Sequence, residues 1–305
     1  MNALFQALAS GFALGAIYGL VALGFNITYA TTRTFNFGQG EFLALGSLVG
    51  VTALLFAAGK PHIGNLSQGE VTIFGYGSAA LFTVAGLGLV GAALYFGAVK
   101  PFLRQPGLNW VMSTIGFSII IQNAALAFWG PSPLAVPSPL GDGVIRVMGV
   151  GIRPQEILIA VTAIIVMIGL DLVLRRSRLG KALRAVAHSP LAAALVGIHV
   201  GRIEILAFVI SSCLAGLAGI LIAPISTASA FIGLAITLKA FSAAIVGGLS
   251  SPRGCVLGGF ILGLLEAVVG LWRAEWREIT IFLLIILVLV VRPSGLFGTK
   301  TIEKI

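Results

Sequence analysis

Residues 205–238 read ILAFVISSCLAGLAGILIAPISTASAFIGLAITL, 34 consecutive positions without a charged side chain. A helix rises about 1.5 Å per residue, so roughly 20 apolar residues cross the ~30 Å hydrocarbon core of a bilayer. This stretch is longer than that, and three further uncharged windows, 1–32, 71–99 and 105–141, are long enough as well. Across all 305 residues there are 19 Lys or Arg and 10 Asp or Glu, 10% charged, where an average soluble domain has about 25%. Too few charges remain to cover a water-facing surface. The apolar runs are continuous, unlike the ~10-residue alternating segments of a transmembrane barrel. The chain therefore reads as an all-α polytopic membrane protein with one transmembrane domain over 1–305.

Polar punctuation places spans near 4–30, 41–58, 74–98, 108–129, 157–174, 205–225, 233–249, 254–271 and 277–292. That is a bundle of nine transmembrane helices, or eight if one segment only half crosses. The segment opening at 36 is interrupted early by Gly38, Gly40 and Glu41, so its first turn is expected to be irregular or re-entrant. The last span has 13 uncharged residues, 279–291, and is expected to use Trp276 as an interface anchor while Arg292 snorkels. Basic residues near span ends set orientation. Arg175, Arg176, Arg178, Lys181 and Arg184 fall within ten residues without an acid and place that loop in the cytoplasm. Alternation then brings Arg33, Lys100, Arg104, Arg253 and the tail with Arg292, Lys300 and Lys304 to the same side. The amino terminus, 59–70, 130–156 and 272–278 fall outside, in the periplasm, and the carboxyl terminus is cytoplasmic. The net charge of +9 follows this topology, and no nucleic-acid surface is expected. The first 30 residues lack the basic segment of a cleavable signal peptide.

Glycine occupies 40 positions, about 13% where ~7% is usual. Gly11, Gly15 and Gly19 are spaced by four on one helix face, and Gly254/Gly258 and Gly259/Gly263 repeat the spacing. In lipid, small residues let helix backbones approach closely. Packing inside one chain is the expected use, with a subunit interface as the alternative.

Polar residues at membrane depth need a partner or a water-filled path. Asn36, Gly38, Gln39, Gly40 and Glu41 form the densest such group. They either cap a helix near the headgroups or line a pathway or gate through a broken helix. Lys239 is isolated in an apolar span and is expected to be ion-paired, or else to line the conduit. Glu266 and Asp171 lie near span ends, where interfacial solvation would accommodate them. His62, His188 and His199 have no metal-ligand spacing, and Cys213 and Cys255 read as buried free thiols. No metal site is expected. The nucleotide-cradling pattern G-x-x-x-x-G-K-[ST] is missing; Gly180-Lys181-Ala182 lacks the first Gly and the hydroxyl. There is no G-x-S-x-G or H-E-x-x-H motif either, so no catalytic constellation is visible.

The loop of about 175–204 holds a second informative stretch. Ser189 can cap a short helix with Pro190 at its first position, and Gly197 can end it. Its small apolar side, Leu191, Ala192 and Ala193, suits a partner's groove; lying on lipid is the alternative.

Leu191-Ala192-Ala193-x-x-x-Gly197 resembles the E-A-A-x-x-x-G loop by which ABC-transporter permeases engage their ATPases, with Leu at the first position. Three stretches strengthen the likeness: Phe35 through Phe42, Lys239 through Gly248 continuing to Pro252-x-Gly254, and Arg292-Pro293-x-Gly295-Leu296-Phe297-Gly298. Together they resemble the LivH-type permease of branched-chain amino-acid ABC importers, over about residues 10 to 298. The family's usual N-F-A-H-G-E is here Asn36-Phe37-Gly38-Gln39-Gly40-Glu41. The resemblance implies a multi-pass permease subunit of the bacterial inner (plasma) membrane that works by alternating access. It implies a LivM-like second permease, two cytoplasmic ATPase subunits that carry ATP and Mg, and a periplasmic amino-acid-binding protein. This chain itself would bind no cofactor and would be no enzyme. The binding protein would dock on outer loops such as 130–156, with Pro131, Pro133, Pro137 and Pro139. Urea and short amides are alternative cargoes within related permeases. An ion-coupled secondary transporter is the rival class.

Overall fold

A computed structural model describes residues 2–61, 64, 66–103, 108–141, 143–147 and 150–298. Arg104, Lys300 and Lys304, used in the topology argument, and His62 lie outside these. Among the described residues the helices are α1 (Asn2–Thr32), α2 (Gln39–Ala57), α3 (Ile73–Leu94, continued by a π-helical turn Tyr95–Val99), α4 (Asn109–Trp129), α5 (Pro154–Arg176), α6 (Arg178–His188), α7 (Pro190–Leu195), α8 (Val200–Ser226), α9 (Ile232–Gly247), α10 (Pro252–Gly270) and α11 (Trp276–Val291). Each expected span coincides with a helix. Seven of them, α1 to α5, α8 and α10, are long and apolar enough to cross a membrane. Helices α9 and α11 have 16 residues each, about 24 Å of rise against a core of ~30 Å. A small antiparallel hairpin, β1 (Ile145–Val147) and β2 (Val150–Ile152), lies in the connection between α4 and α5. No periodic signal in the sequence announced it.

Local sequence explains the helix starts. Thr72, Ser177, Ser189 and Ser251 each accept a hydrogen bond from the backbone N–H three residues on, which satisfies one of the four unpaired donors of a first turn. Pro190 and Pro252 follow two of these caps, where a missing N–H costs nothing. Helix α6 was not foreseen. Its five-base neighbourhood reads as loop, yet Gly180, Leu183 and Val186 share its buried face.

The core is built on α1, α2, α8 and α10. Helix α1 lies against α10 through glycine: a methyl on Gly15 would stand 2.8 Å from the Phe260 Cα, and one on Gly11 2.8 Å from the Gly263 carbonyl oxygen. Gly254 and Gly258 instead meet Gly247 and Ala243 on α9. All seven of these four-spaced glycines meet atoms of this same chain, Gly19 at Met167 and Val256, and Gly259 and Gly263 at Gly19 and Gly15. Outward faces of α3, α4 and α5 are large and apolar, as Phe82, Ile120 and Ile165 show, which suits contact with lipid.

Basic residues collect at one end of the bundle. Arg33, Lys100 and Arg202 border one cavity there, and Arg175, Arg184 and Arg253 border another. Thr31, near the end of α1, touches both cavities, so they lie at the same end. The opposite end carries the Lys60–Glu70 ion pair at 2.7 Å.

Candidate transport site

Two helices begin inside the bundle. The Gln39 side chain donates to the Ser211 carbonyl (3.0 Å) and accepts from the Ser211 hydroxyl (2.9 Å), and the same Ser211 hydroxyl crowds Gly24. Ser211 lies eleven residues into α8, roughly 16 Å from its start, and Gly24 eight residues, roughly 12 Å, before the end of α1. Helix α2 therefore opens near mid-depth, and residues 33–38 return the chain from the basic end to that point. Its start touches α9: a methyl on Gly40 would overlap Thr237 and the Gly233 carbonyl. From this meeting α9 runs to Gly247, which packs on Gly254 at the basic end, whereas α2 runs the opposite way. Among the described residues the non-glycine positions with positive φ are Arg33 (59°) and Thr227 (65°). Each follows one of the long helices α1 and α8, at the corner where the chain turns inward.

Side chains tie the first break together. Asn36 accepts from the Gly38 N–H (3.0 Å) and donates to Gln39 (3.2 Å). Asn36, Gln39, Ser211, Thr114 and Thr237 are buried, and among the described residues no buried side-chain nitrogen or oxygen lacks a partner. Asn36 and Gln39 thus hold the break's shape. The Glu41 carboxylate, half-buried two residues past Gln39, makes no hydrogen bond or ion pair among the described residues, and Phe37 before α2 and Phe231, Leu234 and Leu238 around the start of α9 are exposed. Toward the basic end the break is closed by rings: Phe35 stacks on Tyr29 (4.6 Å) and meets Phe241 edge-on (5.2 Å), and Phe37 stacks on Trp110 (6.4 Å).

Lys239 is not in this group. It lies two residues past Thr237, a rotation of about 200° at roughly 100° per residue, and faces away. Its ammonium pairs with Glu266 at 2.6 Å and reaches Glu278 at 3.4 Å; Tyr18 donates its hydroxyl to the other Glu266 oxygen at 2.8 Å. Glu266 is buried, so interfacial solvation does not account for it. Asp171 likewise has partners, Arg253 at 2.8 Å and Arg175 at 3.2 Å. Sequence reasoning found the lysine and missed its partner, because the pairing needs α9 and α10 to run antiparallel.

The short helix α7 lies at the basic end. Ser189 accepts from the Ala192 N–H at 3.2 Å, Pro190 follows, and Gly197 ends the turn with φ 85°. Ala193 is buried against its own chain; the outward apolar residues are Leu191, Leu195 and Val196. A cavity of about 920 Å³ opens beside it, bordered by Arg33, Lys100, Leu191, Arg202 and Glu204. At the other end the 130–156 connection is tied in by paired backbone bonds between Leu134 and Ala228 (2.8 and 2.9 Å) and by Gln155, which donates to the Leu221 carbonyl at 2.8 Å.

An all-helical, multi-pass membrane protein whose core holds two oppositely directed broken helices has the build of a transport subunit. The chain matches the family "branched-chain amino acid transport system / permease component" over residues 7–289, and it belongs to that family. It is 32% identical to the high-affinity branched-chain amino acid transport system permease protein BraD of Pseudomonas aeruginosa, covering 98% of this chain and 97% of the relative. It is 31% identical to the corresponding protein LivH of Escherichia coli, again over 98% and 97%. Likeness to the ribose import permease protein RbsC of Escherichia coli is 26% over 82% of this chain and 74% of that protein. No solved structure matches.

Proposed function

We propose that this chain is the permease subunit of an ATP-binding-cassette importer that carries branched-chain amino acids across the bacterial inner membrane. End-to-end similarity to BraD and LivH supports the cargo, since the ribose permease is more distant and covers less of the chain. The observation that carries the site is the unpartnered Glu41 carboxylate, with exposed Phe37, Leu234 and Leu238, at the meeting of two broken helices. An aliphatic amino acid offers an ammonium to the carboxylate and an apolar side chain to the rings. On this reading the exposed face of α2 and α9 is completed by a LivM-like second permease, and cargo passes between the two. Asn36, Gly38, Gln39 and Gly40 position that face, and Lys239 braces it from behind.

The basic end is cytoplasmic on the positive-inside rule. There α7 presents Leu191, Leu195 and Val196 to ATPase subunits that hold ATP and Mg; this chain binds neither. ATP-driven closure would press on α7 and shift the equilibrium between inward- and outward-open bundles, which requires the ATPases to bind the two states differently. A binding protein would deliver cargo at the 130–156 face. The test is uptake by cells expressing the transporter, with labelled leucine, urea and ribose compared. Leucine uptake that needs ATP and is reduced by Glu41→Gln supports the reading. Transport of urea or ribose instead overturns the cargo, and uptake driven by an ion gradient without ATP overturns the class.

A further inference from the structure

We propose that a groove between α1, α5 and α10 at the basic end holds one anionic phospholipid. Two adjoining cavities make up the groove. The first, about 500 Å³, is walled by Leu23, Met167, Val256 and Leu257, and its edge residues Ile168 and Leu172 belong to the exposed apolar stripe of α5 that includes Val161 and Ile165. The second, about 370 Å³, shares Asp171, Leu174, Pro252 and Arg253 with the first and adds Arg175 and Arg184. Polarity therefore changes along one continuous depression, from hydrocarbon wall to guanidinium groups.

The basin is ordered by its one acid. Asp171 takes the Arg253 fork through both oxygens, at 3.1 and 2.8 Å, and holds the Arg175 Nε at 3.2 Å. Arg184 is drawn in by its bond to the Arg175 carbonyl at 3.3 Å. Two guanidinium groups are held on one carboxylate and a third on a backbone carbonyl beside them, so the basin keeps net positive charge. Arginine is suited to bidentate capture of phosphate, and basic pockets at a membrane's surface between helices recognise lipid headgroups. A free phosphate would use the basin and leave the apolar wall uncovered. A zwitterionic lipid would use the wall but bring a cation with its phosphodiester, which the net positive basin disfavours. A phospholipid with net negative charge satisfies both, with an acyl chain along Met167 and Leu257 and its phosphodiester between Arg253 and Arg184.

The test is native mass spectrometry of the full chain, purified in mild detergent with whatever subunits it retains. It would be titrated with phosphatidylglycerol, with phosphatidylcholine of the same acyl chains, and with glycerol phosphate. Wild type should retain one phosphatidylglycerol with roughly ten-fold or greater preference over phosphatidylcholine, and no glycerol phosphate. The R184Q/R253Q variant should lose the preference, L257W should lose retention of the lipid itself, and R33Q, at the other basic cavity, should behave as wild type. Equal retention of the two lipids by wild type overturns the proposal. So does binding of glycerol phosphate alone, undiminished preference in R184Q/R253Q, or an equal loss in R33Q. Should the double arginine variant fail to fold, the wild-type lipid comparison and L257W decide the matter.

Discussion

Gly40 and Gly233 meet backbone against backbone at the point where α2 and α9 begin, and neither has room for a side chain: a methyl on Gly233 would lie 2.7 Å from the Gly40 carbonyl oxygen, and one on Gly40 would overlap both Gly233 and Thr237. Real Cβ atoms do not approach backbone so closely, so Gly40→Ala must push the two helix starts apart. Overpacking of this kind costs about 1–3 kcal/mol, and on the proposed function it also distorts the path at its centre. The expected result is a lower melting temperature and reduced uptake. Gly86→Ala is the control, since nothing lies within 4 Å of its added methyl; it should melt at or slightly above wild type, because alanine favours helix by up to about 1 kcal/mol.

The Lys239–Glu266 pair predicts a second outcome. Removing one partner of a buried pair leaves a charge in low dielectric and costs about 3–5 kcal/mol, whereas replacing both by apolar residues is often tolerated. Lys239→Met should therefore lower yield and melting temperature more than the double variant K239M/E266L. A double-mutant cycle read by thermal melting checks this. Additive losses would mean that the two side chains do not depend on each other. Glu278 reaches the same ammonium from a more exposed position and should matter less.

Legibility in the sequence followed the physics of each feature. Spans were readable because charge is excluded from hydrocarbon, and the same exclusion made Glu41 and Lys239 conspicuous. The break at Gly38 and Gly40 was visible because two glycines interrupt an apolar run. Its depth was not, since that depends on Gln39 meeting Ser211, 172 residues away. The second break, at 227–231, falls in the gap between the expected spans 205–225 and 233–249; its depth was not readable, since that depends on Gly233 meeting Gly40. Helix α6 was hidden by its bases, which a loop would carry equally well, although the spacing of Leu183 and Val186 was a faint signal. The docking motif drew attention to Ala193, yet an alanine on a six-residue helix can face either way, and this one faces inward.

Gln39 joins the break to α8 with a donor and an acceptor at once. Gln39→Glu keeps the shape and replaces the amide that donates to the Ser211 carbonyl with an oxygen. Two acceptors would then face each other in a buried site, and a stranded group of this kind costs about 1–3 kcal/mol or more if charged. Melting temperature should fall at neutral pH and uptake should fall with it. A variant indistinguishable from wild type would show that the 3.0 Å bond contributes nothing.

If α7 is the ATPase contact, its outward residues carry it. Leu191→Glu with Leu195→Glu adds two charges at exposed positions and should leave folding within about 0.5 kcal/mol of wild type. It should abolish co-purification of the ATPase subunits and ATP-dependent uptake. Ala193→Glu should instead lower the melting temperature, because that side chain is buried. Retained ATPase with the Leu191/Leu195 variant would place the contact elsewhere at the basic end.

Thr227 supplies the last test, at the corner where the second long helix turns inward. Its backbone lies at φ 65°, ψ 156°, a region open almost only to glycine, in which another residue stores about 1–3 kcal/mol. The conformation is imposed from outside: the next residue, Ala228, exchanges both backbone bonds with Leu134, so the corner cannot relax without releasing the 130–156 connection. Thr227→Gly removes the clash of the side chain with its own backbone. The gain is reduced by the extra freedom glycine has when unfolded, about 0.5–1 kcal/mol, and by loss of the Thr227 hydroxyl bond to the Ser226 carbonyl. The net expectation is a modest rise in melting temperature. Thr227→Pro fixes φ near −65° and should prevent the Leu134–Ala228 pairing, with a large loss of folded protein. Should the glycine variant melt lower than wild type, the corner is not strained, and the inward turn before α9 must be held by the packing of Gly233 on Gly40 alone.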